Sequence, residues 1–103
     1  MIFNPSLNKT LKKSQATGTF TVINDRGLHT RPSTEIVKCA SSFKADVRLV
    51  HQKMEVNAKS LLGILMLAAA KGTKIAITAF GEDAEEAVDS LIELAKNQFN
   101  MHY

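Results

Sequence analysis

Thr19-Phe20-Thr21-Val22-Ile23-Asn24-Asp25-Arg26-Gly27-Leu28-His29-Thr30-Arg31-Pro32 carries the chain from a strand into a helix. Phe20 and Val22 fall on one face of an alternating run, with Thr19, Thr21 and Ile23 on the other, which is the period of a half-buried strand. Asn24 to Gly27 is turn-rich. From Arg31 to Ser42, Ile36, Val37, Ala40 and Phe43 recur at helical spacing and form one core-facing stripe. Pro32 fits the first turn of that helix, where its missing N–H costs no helical hydrogen bond. A helix start has backbone N–H groups without intrahelical partners and the positive end of the helix dipole. Both favour an anion. His29 stands at that start and Arg31 follows two residues later, so the junction reads as an imidazole aimed at a phosphate.

The chain outward from this junction settles the fold class. Ala45–Val50 and Lys53–Val56 each alternate apolar and polar residues, and the short gap between them predicts a hairpin. Its turn, His51-Gln52-Lys53, has no glycine to favour a tight primed geometry. Ser60 sits where a helix cap belongs, ahead of an apolar helix over Leu61–Ala69 that Lys71-Gly72 closes. Thr73–Phe80 predicts a fourth strand with Ile75, Ile77 and Ala79 inward. Asp83 and Glu86 have capping-box spacing. The helix they open runs to about Gln98, with Ala84, Ala87, Val88, Leu91, Leu94 and Ala95 as its buried stripe. The order β-α-β-β-α-β-α predicts an α+β fold, a four-stranded, mostly antiparallel sheet with three helices on one face. Residues 1–18 are polar and read as a mobile N-terminal extension, although Phe3, Leu7 and Leu11 share a helical face. Residues 19–103 form the domain.

Composition narrows the function. The chain has 103 residues, 45% hydrophobic and 22% charged, values of an ordinary globular domain. A net charge of +3 is weak for a nucleic-acid footprint, and neither a stacking aromatic pair nor a Gly-x-x-Gly clamp is present. The apolar run Leu61–Ala70 reaches about half the hydrocarbon thickness, so no membrane span is expected. No continuous apolar stretch at the N-terminus suggests a signal peptide. The single cysteine, Cys39, suits a reducing compartment and a packed thiol, and the expected location is cytoplasmic. His51 and His102 lack metal-ligand spacing, and no serine sits in a nucleophile elbow, so neither a metal site nor a Ser-His-Asp triad is expected.

Neutral imidazole is a competent nucleophile, and phosphorylation of His29 would create an anion that Arg31 and the N–H groups of Thr30 and Arg31 can hold. Gly27 permits an unusual backbone angle or a close approach just before the site. Ser60 is the second candidate. Leu61, Leu62, Ile64, Leu65 and Leu67 cover more than one helical face, so some should stay exposed, and a phosphate on Ser60 would set charge beside them.

Two segments resemble a known family. Gly27-Leu28-His29-Thr30-Arg31-Pro32 looks like the phosphohistidine signature of the HPr family of phosphocarriers, from the bacterial phosphoenolpyruvate-dependent sugar phosphotransferase system. Val56-Asn57-Ala58-Lys59-Ser60-Leu61-Leu62-Gly63 looks like that family's regulatory serine segment. The resemblance spans about Thr19 to Gln98. It implies an open-faced β-sandwich and a phosphocarrier rather than an enzyme. It also implies that His29 is phosphorylated on Nδ1 by phospho-enzyme I, with Arg31 assisting, and hands the group to an enzyme IIA. Thr30 and Gly27 would support the phosphate, and Ser60 would be the substrate of HPr kinase/phosphorylase. Lys38, Leu61, Leu62 and Leu65 match positions that meet partner proteins, as do Thr30 and Arg31. No cofactor and a monomer are expected. The chain departs from the family pattern at Arg26, where a small polar residue is usual, and at Ser33, where alanine is common. Its hairpin has no Asn-Gly, and its N-terminal extension is longer than usual.

Overall fold

A computed structural model describes residues 14–101. Its elements are β1 (Gln15–Thr21), α1 (Thr30–Ser41), β2 (Asp46–His51), β3 (Met54–Asn57), α2 (Leu61–Met66), β4 (Lys74–Phe80) and α3 (Ala84–Lys96). A short 3₁₀ turn, Gln98–Asn100, follows. The four strands form one sheet in the order β1-β4-β2-β3, every pairing antiparallel. The three helices cover one face, giving the open-faced α+β architecture expected from the element order.

Register explains why one face is apolar. Gly18, Ile77, Leu49 and Val56 align across all four strands. Ala16, Ala79 and Val47 form the next inward row, and Phe20 pairs with Ile75. Period-two alternation puts these side chains on one side of the pleat, where they meet Ile36, Ala40, Ile64, Ala87, Val88 and Leu91 of the helices in one buried cluster. At Gly18 a Cβ would come within 2.7 Å of Val88 Cγ1 and 2.9 Å of Ile92 Cδ1, so glycine lets α3 lie close over β1.

Several features differ from the sequence expectation for physical reasons. β1 starts at Gln15, not Thr19, and pairs with β4 along its whole length from Gln15↔Phe80 to Thr21↔Lys74. The boundary drawn at residue 18 therefore falls inside this strand. Its polar side chains point outward on an edge strand and hid it from a hydrophobic pattern. The helical face of Phe3, Leu7 and Leu11 lies outside the described residues. The hairpin closes through two residues, with His51 paired to Met54 and Gln52 at φ +55°, so glutamine takes a backbone that glycine usually takes.

The apolar helix ends at Met66, not Ala69. Ala68 turns left-handed at φ +49°, and the Ala69 carbonyl accepts from Leu28 N–H at 2.8 Å. A tertiary bond thus captures what would have been the last helical turn. The capping box at Asp83 does not form. Asp83 precedes α3 without a side-chain cap bond, and its carboxylate instead accepts from the N–H groups of Lys44 at 2.9 Å and Ala45 at 2.8 Å. The Lys44 bond, opposed by partial burial and reinforced by the Ala45 bond, holds this carboxyl below its ordinary value. Asp83 thereby fastens the entry to β2 onto the start of α3. Leu94, expected on the buried stripe, is half-buried against the core.

Candidate functional site

The site is a loop suspended from three backbone anchors. Val22 donates to Thr73 O at 2.9 Å, and Gly72 donates back to Val22 O at 2.7 Å. Gly27 closes a turn onto Asn24 O at 2.9 Å, and Leu28 holds Ala69 O. Gly27 has φ +66°, and a Cβ there would collide with the Ala69 carbonyl oxygen. Both the backbone angle and the space require glycine. Leu28 is buried and plugs the loop into the core, leaving His29 at its rim.

His29 is the N-cap of α1, with extended backbone (φ −76°, ψ −170°), half-buried, and its side chain makes no capping hydrogen bond. Its carbonyl accepts the first helical bond, from Ser33 N–H at 3.1 Å. Thr30 and Arg31 are exposed in the first turn, and Pro32 after them is buried. Helix geometry leaves the N–H groups of Thr30 and Arg31 outside the i→i−4 ladder, and Pro32 has none. Two backbone donors and an arginine therefore follow His29 directly in the chain, with no acidic residue in the first turn. Ser33, buried, donates through Oγ to Leu28 O at 2.9 Å. The bond pins the carbonyl just before His29, a role that an alanine at this position could not fill.

A pocket of about 220 Å³ on the first turns of α1 is lined by Thr30, Arg31, Thr34, Glu35 and Met101. Two larger depressions lie elsewhere, at the hairpin tip (His51, Gln52, Lys53, Met54, Leu67) and along β1 and α3 around Phe20 and Ile92. Neither is lined by His29 or Arg31.

Ser60 caps α2, its Oγ accepting from Gly63 N–H at 3.1 Å. Lys59 beside it donates from Nζ to Phe43 O at 2.8 Å. Leu62 is 70% exposed and Leu61 37%, while Leu65 is half-buried and Ile64 and Leu67 are buried. Met66, four residues after Leu62, is 60% exposed and extends the same face. The i, i+4 spacing could have found it. α2 is only about 9 Å long, and the Leu28–Ala69 bond draws the segment after it against the residue preceding His29. The structure thus gathers His29, Arg31 and this apolar face on neighbouring elements. Lys38 lies on α1, exposed and bridged to Glu35 at 3.3 Å. Cys39 is half-buried and burial raises its thiol, in keeping with packing rather than reactivity. Among the described residues, no group of His, Cys, Asp and Glu could hold a metal ion, and no helix is long and apolar enough to cross a membrane.

Comparison with known proteins bears on the same residues. The family model described as "PTS HPr component phosphorylation site" matches residues 16–97. The phosphocarrier protein HPr of Xylella fastidiosa is 42% identical over 80 residues, covering 78% of this chain and 90% of that protein. The HPr of Cupriavidus necator is 38% identical over 79 residues, covering 77% and 89%. A crystal structure of HPr from Thermoanaerobacter tengcongensis superposes with a TM-score of 0.81 at 33% identity, covering 85% of this chain and 99% of that one. HPr from Bacillus anthracis gives 0.73 at 38% identity, covering 77% and 94%.

Proposed function

The chain belongs to the HPr family, whose members are phosphocarrier proteins of the phosphotransferase system and not enzymes, and from that premise we propose that His29 carries the phosphoryl group. The supporting observation is the helix start itself. His29 caps α1 without using its side chain as a cap, and Arg31 and two backbone donors follow it. Phosphotransferase proteins, enzyme I and enzymes IIA, are the family's partners in general. For this chain the donor is phospho-enzyme I and the acceptor an enzyme IIA, met as a cytoplasmic monomer.

In the transfer, Nδ1 attacks phosphorus through its lone pair while the bond from phosphorus to the donor breaks, its electron pair leaving with the donor group. The ring keeps its remaining proton on Nε2, and the phosphoryl oxygens meet Arg31 and the N–H groups of Thr30 and Arg31. Gly27 supports the arrangement by letting the loop approach Ala69. Holding the phosphate at an exposed rim suits a group that must leave again, since tight ground-state binding would slow the next step. Leu61, Leu62, Leu65 and Lys38, joined by Met66, form the surface that partners cover. Regulation by phosphorylation of Ser60 is part of the same proposal. It is supported by the serine's place at the head of an exposed apolar face, where a dianion would both lose the Gly63 cap geometry and repel apolar docking. HPr kinase/phosphorylase is the modifying enzyme the family resemblance suggests.

Incubation with a relative's enzyme I and labelled phosphoenolpyruvate tests the carrier role. Acid-labile label on the intact protein, absent from His29→Ala, is expected. No label on the intact protein, or equal label on the variant, would falsify it.

A further inference from the structure

Among the described residues, those after α3 form the one run of three consecutive left-handed non-glycine residues. Gln98, Phe99 and Asn100 all have positive φ (55°, 55° and 63°), a left-handed turn made without glycine. Such backbone is unfavourable for any residue with a Cβ and persists only where surrounding contacts over-determine it. Three contacts do so here. Phe99 is fully buried and meets Phe20 edge-on, ring centroids 5.7 Å apart. Asn24 Nδ2, buried in the loop before His29, donates to Gln98 O at 3.0 Å. Asn100 Nδ2 donates to Glu35 Oε1 at 3.0 Å, one turn beyond Arg31 on α1.

The turn therefore touches the site from both sides, at Asn24 ahead of His29 and at Glu35 behind it. Met101, the next residue, lines the pocket together with Thr30, Arg31 and Glu35. Asn24 Oδ1 is buried with no hydrogen-bond partner among the described residues, so Asn24 is held there at a cost that its bond to the turn offsets. Glu35 is held by Asn100 on one oxygen and Lys38 on the other. Glu35 and Arg31 line the same pocket, so holding this carboxylate in place sets where a negative charge lies near the guanidinium.

We propose that the left-handed turn Gln98–Asn100 is a strap that positions His29 and Arg31 for phosphoryl transfer, with Asn24 and Glu35 as its two attachment points. The strap fixes the angle between the loop and α1, and with it the direction of the imidazole relative to the donors that receive the phosphate. Asn24, Glu35 and Asn100 are positioning residues; none is required to touch the phosphoryl group.

This inference rests on the phosphocarrier reading, and the test separates the two. Turnover and half-saturating concentration are measured for the full chain as phosphoryl acceptor, with a relative's enzyme I and phosphoenolpyruvate. Asn100→Ala should lower turnover about tenfold while leaving the half-saturating concentration within about twofold, because misdirected reacting groups slow chemistry rather than docking. Asn100→Asp should be slowed at least as much, facing Glu35 with a like charge. Combining Asn100→Asp with Glu35→Gln exchanges donor and acceptor and should restore turnover to within about twofold of the natural chain. Unchanged turnover in both single variants, or no recovery in the double variant, overturns the strap. In the unphosphorylated protein, the Arg31 side-chain N–H resonance should shift or broaden in Asn100→Ala; an unchanged signal also overturns it. If the natural chain accepts no phosphate, the carrier reading fails, and the Arg31 resonance still decides the strap.

Discussion

Two helix starts in this molecule use the same backbone chemistry to opposite ends. At α1 the cap residue, His29, makes no side-chain cap bond, which under the proposed function leaves the N–H groups of Thr30 and Arg31 for the phosphoryl group. At α2 the cap residue, Ser60, already spends its hydroxyl on Gly63 N–H. On the proposed reading, phosphorylating His29 brings an anion to the helix start. Phosphorylating Ser60 replaces a neutral cap by a dianion at the edge of an exposed apolar face. The first arrangement suits repeated, reversible loading, and the second a change of state. α3 is a third variation, with Asp83 directed away from its own helix to the N–H groups of Lys44 and Ala45.

Substitutions can break this contrast. Gly27→Ala should act hardest on the α1 side, since φ +66° and the Ala69 carbonyl both oppose a Cβ. A loss of about 3 kcal/mol in denaturant unfolding is expected, against about 1 kcal/mol for Gly72→Ala, which shares a positive φ but meets open space. Arg31→Ala should leave the melting temperature unchanged and slow His29 phosphorylation about a hundredfold, the scale of losing one group that stabilises developing charge. Ser60→Ala should cost about 1 kcal/mol as a lost cap and leave the phosphorylation rate of His29 unchanged. A rate loss there would dissolve the distinction between the two starts.

Acid titration sharpens the comparison with α3. The Asp83 carboxyl is held below its ordinary value, so its contribution is complete above the unfolded pKa of about 4 and is lost as pH falls through the lower folded value. Asp83→Asn should therefore flatten the acid limb of the stability curve, measured by thermal unfolding between pH 6 and about pH 2. Smallest of all, Gln52→Gly should raise stability by less than about 1 kcal/mol by relieving the positive φ of the hairpin, with no effect on His29.

What the sequence made legible followed periodicity. The inward rows through Ile75, Ile77 and Ala79, Ile36 and Ala40 on α1, and the cap at Ser60 all stand where the pattern placed them. Tertiary bonds hid the rest. Nothing local in Leu61–Ala69 shows that the Ala69 carbonyl will serve Leu28, so the helix looks three residues too long. Asp83 and Glu86 have capping-box spacing, yet the carboxylate finds two N–H groups some forty residues earlier in the chain. β1 before Thr19 is held by backbone pairing with β4, which a run of Gln, Ala, Thr and Gly does not announce. Phe99 follows the last periodic residue of α3, where an isolated aromatic gives no hint of a left-handed turn beneath the site.

Mapping the phosphorylated residue after incubation with enzyme I and phosphoenolpyruvate, and again after adding excess pyruvate, tests the relay most directly. The account predicts one phosphoryl group on Nδ1 of His29, none on Ser60, and its return to pyruvate when the equilibrium is reversed. A phosphate that settles on another residue, or one on His29 that cannot be driven back, contradicts it.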